Sequence, residues 1–244
     1  MDENGAPNTP QQGWAMAYRL RDGSTVQDPR LGRIPQWDER NRQFPVRYLI
    51  DTHKRLRSYS WSCYARLDQG NEGSCVGHGL AHELAARPLV IKRVTHEYAV
   101  DIYRAAQVID DWEGEDYEGT SVLAGVKVLT QRGAYTSYHW AEIEYDIATA
   151  VGLYGPVIMG TNWHDGMMKT NSFGYIQPTG PVLGGHCWLI TGLNVRLDSY
   201  TMLNSWGNTW GNNGTAFIKR EDVSKLLENG GEACVPVRRR IFLP

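Results

Sequence analysis

Apolar residues recur every three or four positions in four places along the 244-residue chain, and that period predicts helices. The first follows Cys75 in VGHGLAHELAAR, where Pro88 ends it. The second covers residues 96–109, HEYAVDIYRAAQVI, and the third runs through TSVLAGVKVLTQRG with Gly133 as its stop. A fourth, AEIEYDIATAVGLYG, stops near Gly155 and Pro156. Beyond it the apolar runs shorten to PVIMGT, GHCWLITGLN, YTMLNSWG and TAFIKR, divided by Gly, Asn and Asp turns, which is the pattern of strands. FPVRYLI, residues 44–50, reads as extended. A mainly helical first half and a mainly β second half predict two lobes with a cleft between them.

The remaining stretches lack a period. Residues 1–13, MDENGAPNTPQQG, have the composition of a disordered tail. Residues 14–43 alternate charges with turn residues and are expected to form a loosely packed arm. The acidic loop DDWEGEDYEG is expected to be solvated. The expected division is a tail and arm at 1–43 and a globular domain at 44–244, whose halves meet near residues 141 and 142.

Bulk properties narrow the partners. A formal charge of −2 gives no support for nucleic acid or an anionic membrane. No run of 18 apolar residues is present to span a bilayer, and the polar N-terminus has no secretory core. The default expectation is a cytoplasmic, reducing setting with free thiols, with a virion or another secretion route left open. Nine Trp and thirteen Tyr are assigned mainly to packing.

The stretch DQGNEGSCVGHG places Cys75 at the head of the first helix, where backbone N–H groups and the macrodipole favour a thiolate. Gly73 and Gly77 leave room for another backbone beside it. Of seven histidines, His186 in GGHCWLITG stands where a loop becomes a strand, a suitable place for a base. His78 and His82 share a helix face but lack a third metal ligand and the HExxH pattern, so they read as exposed or half-buried helix residues. His53, His96, His139 and His164 have no comparable surroundings. Asn204, 18 residues after His186 in LNSWGNTWG, offers an amide oxygen to fix the imidazole, and Trp206 can cover that bond. No cofactor is expected and no cluster has zinc-ligand spacing.

QGNEGSC, GGHCWLITGLN and NSWGNTWGNNGTAFIKR together resemble the three signature blocks of the papain-like cysteine peptidases, over roughly residues 44–222. The resemblance implies an α+β, papain-like two-lobed fold: a helical lobe at 44–141, an antiparallel β-barrel-like lobe at 142–244 and the active-site cleft between them. It implies Cys75 as nucleophile, His186 as base, Asn204 as its orienter and Gln69 as an oxyanion donor. GTSVLAGVKVLTQRG resembles the family's glycine-rich substrate-pairing segment, which puts Gly119 and Thr120 beside the substrate and Ser121 near the P2 pocket, where its small side chain implies room for a bulky one. Gly185, Trp206 and Trp210 complete the implied binding surface. The implied reaction hydrolyses peptide bonds in a protein or peptide substrate, through a thiolate–imidazolium pair and a thioester.

The sequence departs from the family pattern at three places. Val76 stands where a tryptophan usually follows the cysteine, Glu72 where a disulfide cysteine is common, and Gly185 where some members carry an aspartate. The arm is too short for the usual helical pro-segment; it is read as a tether, a docking arm or a self-inhibiting strand in the cleft. If Cys75 stays free, Cys63, Cys187 and Cys234 can form at most one bridge, and Cys187 reads as a buried thiol. Two rival readings remain: transfer of the acyl group to an amine or action on a cell-wall peptide, and an inactive binding module that kept the fold.

Overall fold

A computed structural model of the chain describes residues 17–51, 54–113 and 117–238. The tail at 1–13, His53 and the middle of the acidic loop lie outside the described residues. In chain order the elements are β1 (Tyr18–Arg19), β2 (Thr25–Val26), β3 (Tyr59–Ser60), α1 (Cys75–Leu84), α2 (His96–Ile109), α3 (Val122–Gln131), β4 (Tyr135–Trp140), α4 (Glu144–Leu153), β5 (Val157–His164), β6 (Val182–Asn194), β7 (Ser199–Leu203), β8 (Thr215–Lys219), α5 (Arg220–Glu228) and β9 (Glu232–Arg238).

Side-chain caps set the starts of two helices. Thr95 accepts from the Tyr98 N–H at the head of α2, and Ser121 from the Ala124 N–H at the head of α3. α1 starts at Ser74 without such a bond, and Cys75 is its first residue. All ten residues of α1 are buried. Glycines that would weaken an isolated helix make this possible. A Cβ on Gly77 would stand 2.1 Å from the Ala99 carbonyl oxygen of α2, and one on Gly79 2.8 Å from Cys187 Sγ of β6. Neighbouring elements therefore close on α1 from more than one side.

The other layer is a seven-stranded antiparallel sheet in the order β4-β9-β5-β6-β7-β8, with β3 added on β6. Its path has two ends rather than closing into a barrel. The thirteen-residue β6 is its spine, paired with β5 on one side and β7 on the other. One apolar core lies between the sheet, α4, α5 and the arm; a second lies among α1, α2, α3 and the sheet.

Three expectations are corrected. Residues 44–50 are not extended: Pro45 leads into a 3-10 turn at Val46–Tyr48, with Val46 buried. The described part of the arm is not loose, because Leu20, Val26, Leu31 and Ile34 are buried in the core. The acidic loop is not wholly solvated, since the Asp110 side chain is enclosed and pairs with Arg21 of the arm at 3.2 Å. Charges that looked like surface in sequence neutralise one another where the arm crosses the domain.

His78 and His82 are buried, not exposed. His78 Nδ1 donates to the Ser74 carbonyl at 3.0 Å, and His82 Nε2 accepts the Leu67 N–H at 3.0 Å. Burial holds them neutral, with pKa values lowered to about 4 and about 3. All four cysteines are free, and Cys75, Cys187 and Cys234 are buried. No helix among the described residues is long and apolar enough to cross a membrane.

Candidate active site

His186 in β6, Asn204 just beyond β7 and Gln69 in the loop before α1 are linked by hydrogen bonds through Ser205. Cys75 at the head of α1 is met by the N–H of Cys187, the residue after His186. Each of the four is no more than 2% exposed. The imidazole Nε2 of His186 donates to Asn204 Oδ1 at 2.7 Å, and the same oxygen accepts the Ser205 N–H at 2.8 Å. Two donors on one oxygen fix the amide, and the amide fixes the ring. With the proton on Nε2, the lone pair of a neutral His186 lies on Nδ1, which is buried without a hydrogen bond among the described residues. Trp206 stacks tilted on His186 at 5.0 Å between centroids, and Trp163 meets it edge-on at 4.7 Å. Trp210 packs edge-on against Trp206 at 5.8 Å. The rings exclude water from the His186–Asn204 bond.

The thiol is enclosed as well. Burial raises Cys75 to about 11, although the N–H groups of Cys187, Gly32 and Val76 and the charge of Arg33 pull it back. Burial lowers His186 to about 4; its bond to Asn204 opposes this, and the nearby Arg30 cation adds to it. Both shifts favour the neutral forms of the two groups in this conformation. Burial therefore opposes the thiolate–imidazolium pair while the arm lies over the site.

The arm reaches every part of this site. Gln69 Nε2 donates to the Arg30 carbonyl at 3.0 Å and to the Glu72 carbonyl at 2.7 Å, while Ser205 Oγ donates to Gln69 Oε1 at 2.6 Å. The Arg30 guanidinium lies 3.9 Å from the Trp206 ring centroid and pairs with Asp28 at 2.6 Å. Gly32 and Arg33 form parallel bridges to Gly185 and Thr120 respectively. Arg33 N–H donates to the Gly185 carbonyl at 3.1 Å, Ile34 N–H to the Thr120 carbonyl at 2.9 Å, and Thr120 N–H to the Gly32 carbonyl at 3.0 Å. An extended stretch of chain is thus held between the residue before His186 and the glycine-rich segment. Only glycine fits at position 32, where a Cβ would stand 2.0 Å from the Gly73 carbonyl oxygen.

The ten residues singled out from sequence do not all have the surroundings expected. Gly119, Thr120 and Gly185 lie against residues 32–34 of the arm, Trp206 stacks on His186, and Trp210 packs behind Trp206. Ser121 does not offer an open pocket: it is fully buried, caps α3 and donates to Gln36 of the arm. Sequence reasoning missed Trp163, Ser205, Arg30, Gly32, Arg33 and Glu232. Ser205 lies within the quoted NSWG block, so its place beside Asn204 was available; the arm residues carried no period to betray them.

Comparison with known proteins agrees on the fold. No protein-family model matches the chain. A cathepsin B from Dictyostelium discoideum is 37% identical over 70 residues, which span 28% of this chain and 22% of that protein. The crystal structure of xylellain, a cysteine protease from Xylella fastidiosa, superimposes with a TM-score of 0.66 at 16% identity, covering 89% of this chain and 99% of that one. A digestive procathepsin L 3 from the larval midgut of Tenebrio molitor gives 0.54 at 16% identity over 87% and 75% of the two chains. The bromelain protease of Ananas comosus in complex with the E64 inhibitor gives 0.50 at 14% identity over 74% and 100%. By its architecture, and as its sequence blocks led us to expect, the chain has the papain-like fold of these cysteine proteases.

Proposed function

We propose that the chain is a cysteine peptidase whose cleft is closed by its own residues 28–34. The observation that carries this reading is the joint placement of Gln69, Cys75, His186 and Asn204 beneath a length of backbone paired on both edges, to Gly185 and to Thr120. Such a groove accepts an extended polypeptide.

In the open form His186 Nδ1 takes the thiol proton, and water entering the cleft restores the thiolate and imidazolium. The thiolate attacks a peptide carbonyl while the Cys75 N–H and the Gln69 amide hold the oxyanion, each such donor lowering the barrier by about 3 kcal/mol. His186 returns the proton to the leaving amine, and water then hydrolyses the thioester. Asn204 keeps the ring in one tautomer throughout.

The arm is held in a way that resists cutting. Attack requires one carbonyl to face both the sulfur and the oxyanion donors. Here the Gln69 amide holds the carbonyl of Arg30, whereas the sulfur meets the N–H of Gly32, two residues on. Leu31 and Ile34 bury their side chains beside this contact, worth roughly 2 kcal/mol each. The arm therefore acts as an inhibitor rather than a substrate.

The test is hydrolysis of a mixed peptide library by the full chain, followed by mass spectrometry, in parallel with Cys75→Ala and His186→Ala. Turnover lost in both variants supports the reading. Turnover unchanged in Cys75→Ala, or products carrying an added amine instead of water, refutes it.

A further inference from the structure

The stretch 69–75 carries both expected oxyanion donors, the Gln69 amide and the Cys75 N–H, and no disulfide ties it down, since all four cysteines are free. Its start is fixed by backbone: Gln69 N–H donates to the Ser205 carbonyl at 2.8 Å. Its far end is fixed by a side chain. Gly73 N–H donates to Glu118 Oε2 at 3.1 Å, a charge-assisted bond between residues 45 positions apart. Glu118 immediately precedes Gly119 and Thr120, the segment that holds the arm's backbone. Glu72 adds a tie to Arg104 of α2 at 2.6 Å, but that pair is partly exposed and worth little.

The carboxylate of Glu118 is not left to swing. Tyr103 of α2, fully buried, donates its hydroxyl to the same Oε2 at 2.7 Å. The Tyr103 oxygen in turn accepts the Gly119 N–H at 2.8 Å and Gln107 Nε2 at 2.9 Å. Burial, and then the carboxylate beside it, raise the Tyr103 hydroxyl above the ordinary tyrosine range, so it keeps the proton this network needs. Gly73 N–H, the Glu118 carboxylate, the Tyr103 hydroxyl and the Gly119 N–H thus form one continuous brace.

The brace sets a width. A Cβ on Gly73 would stand 3.0 Å from Glu118 Cβ and 3.3 Å from the Gly119 nitrogen, so the two stretches already touch. Both also touch Gly32 of the arm. A Cβ there would meet the Gly73 carbonyl oxygen at 2.0 Å, and a Cβ on Gly119 would stand 2.7 Å from the Gly32 carbonyl oxygen. Loosening the Glu118 link therefore moves the donor loop relative to the backbone that pairs with an extended chain. Arg33, next along the arm, has its own anchor in Glu232 at 2.8 Å, so retention of the arm does not rest on Glu118 alone.

We propose that Glu118, clamped by Tyr103, is a positioning residue for the reaction: it holds the loop bearing Gln69 and Cys75 in register with Gly119 and Thr120, so that the oxyanion donors face the carbonyl of a chain bound along that segment. The proposal rests on the peptidase reading and adds to it a residue that touches no reacting atom.

Gly32→Ala serves as the parent for the test, because the added methyl displaces the arm and leaves turnover unmasked. On a peptide that this parent cleaves, kcat is expressed per Cys75 titrated with an irreversible epoxide, so that misfolded molecules do not count. Glu118→Ala should lower this kcat by at least about tenfold while KM moves little, the effect of slightly displaced donors. Iodoacetamide labelling of Cys75 forms no oxyanion and should keep its rate. Glu118→Gln, which presents an amide oxygen to both Gly73 and Tyr103, should recover most of the kcat. Tyr103→Phe frees the carboxylate and should lower kcat in the same sense; it takes the place of Glu118→Ala should that variant fail to fold. An unchanged kcat per titrated Cys75, or a loss that Glu118→Gln does not recover, overturns the positioning role and leaves the peptidase standing. Absence of Cys75-dependent turnover in the parent overturns the peptidase reading, and this role with it.

Discussion

The side-chain amide of Gln69 donates to the carbonyl oxygen of Arg30 at 3.0 Å, inside the 2.7–3.1 Å range that suits an oxyanion donor. A group expected to hold charge developing on a substrate holds a neutral carbonyl of the same chain. This gives Gln69→Ala two opposed effects. Iodoacetamide should label Cys75 faster, because one tie on the arm is gone. Peptide turnover should fall by roughly 100-fold, because an oxyanion donor is gone. A variant in which both rates move the same way contradicts the double role.

Gly32 is where the arm is most easily dislodged. Its Cβ would overlap the Gly73 carbonyl at 2.0 Å, and relief of such overpacking costs about 1–3 kcal/mol. Gly32→Ala should therefore raise the Cys75 labelling rate at pH 7 by roughly tenfold or more. In the unaltered chain labelling should keep climbing with pH toward the thiol's about 11, whereas the variant should level off near neutrality. Intact-mass measurement after timed alkylation reads both. Equal rates in the two chains would show that the arm does not limit access.

Buried histidines make the fold acid-sensitive. His82 titrates near 6.5 when unfolded and near 3 when folded, because burial disfavours its cation. Between those values the unfolded chain binds more protons, so stability is full above pH 6.5 and drains as the pH falls toward 3. One such group loses about 2 kcal/mol between pH 6.5 and 5. His78 and His186, both lowered to about 4, add in the same direction. Glu83 and Glu232, raised by burial, act the opposite way. His82→Gln keeps an acceptor for the Leu67 N–H without a titrating group, so its unfolding midpoint should drop less between pH 7 and 5. Parallel thermal melts decide it.

Arg21 and Asp110 join the arm to the end of α2. Asp110 Oδ2 also accepts the Thr120 hydroxyl at 2.8 Å, which ties the pair to the cleft wall. Arg21→Met leaves an enclosed carboxylate without this cation and should cost about 3 kcal/mol in urea unfolding. Adding Asp110→Asn should restore much of that. No recovery in the double variant would mean that the charge pairing is not what holds the two elements.

The three helices of the first half and the four strands after α4 were legible because each repeats its apolar residues at one period, and α2 matches its predicted range of 96–109. The spacing from Gln69 to Cys75 and the NSWG block likewise marked groups that the fold brings together. β9 was missed because both of its faces are covered, so EACVPVR has no alternation to read. Arg33 and Glu232 were illegible for a different reason. Each looks like a surface charge in its own stretch, and only the crossing of the arm over the sheet buries them as a pair. Histidines 78 and 82 were misjudged because a helix surrounded on all sides lacks the polar stripe that sequence patterns rely on.

The close fit of Gly79 against Cys187, whose Sγ would stand 2.8 Å from a Cβ added at Gly79, has a consequence for tuning the chemistry. Gly79 sits one helical turn after Cys75, and Cys187 comes immediately after His186. This contact, just behind the two reacting groups, therefore helps to set their spacing. Adding one carbon there would pry helix and strand apart and widen the gap across which the proton must travel, with every reacting group left unaltered.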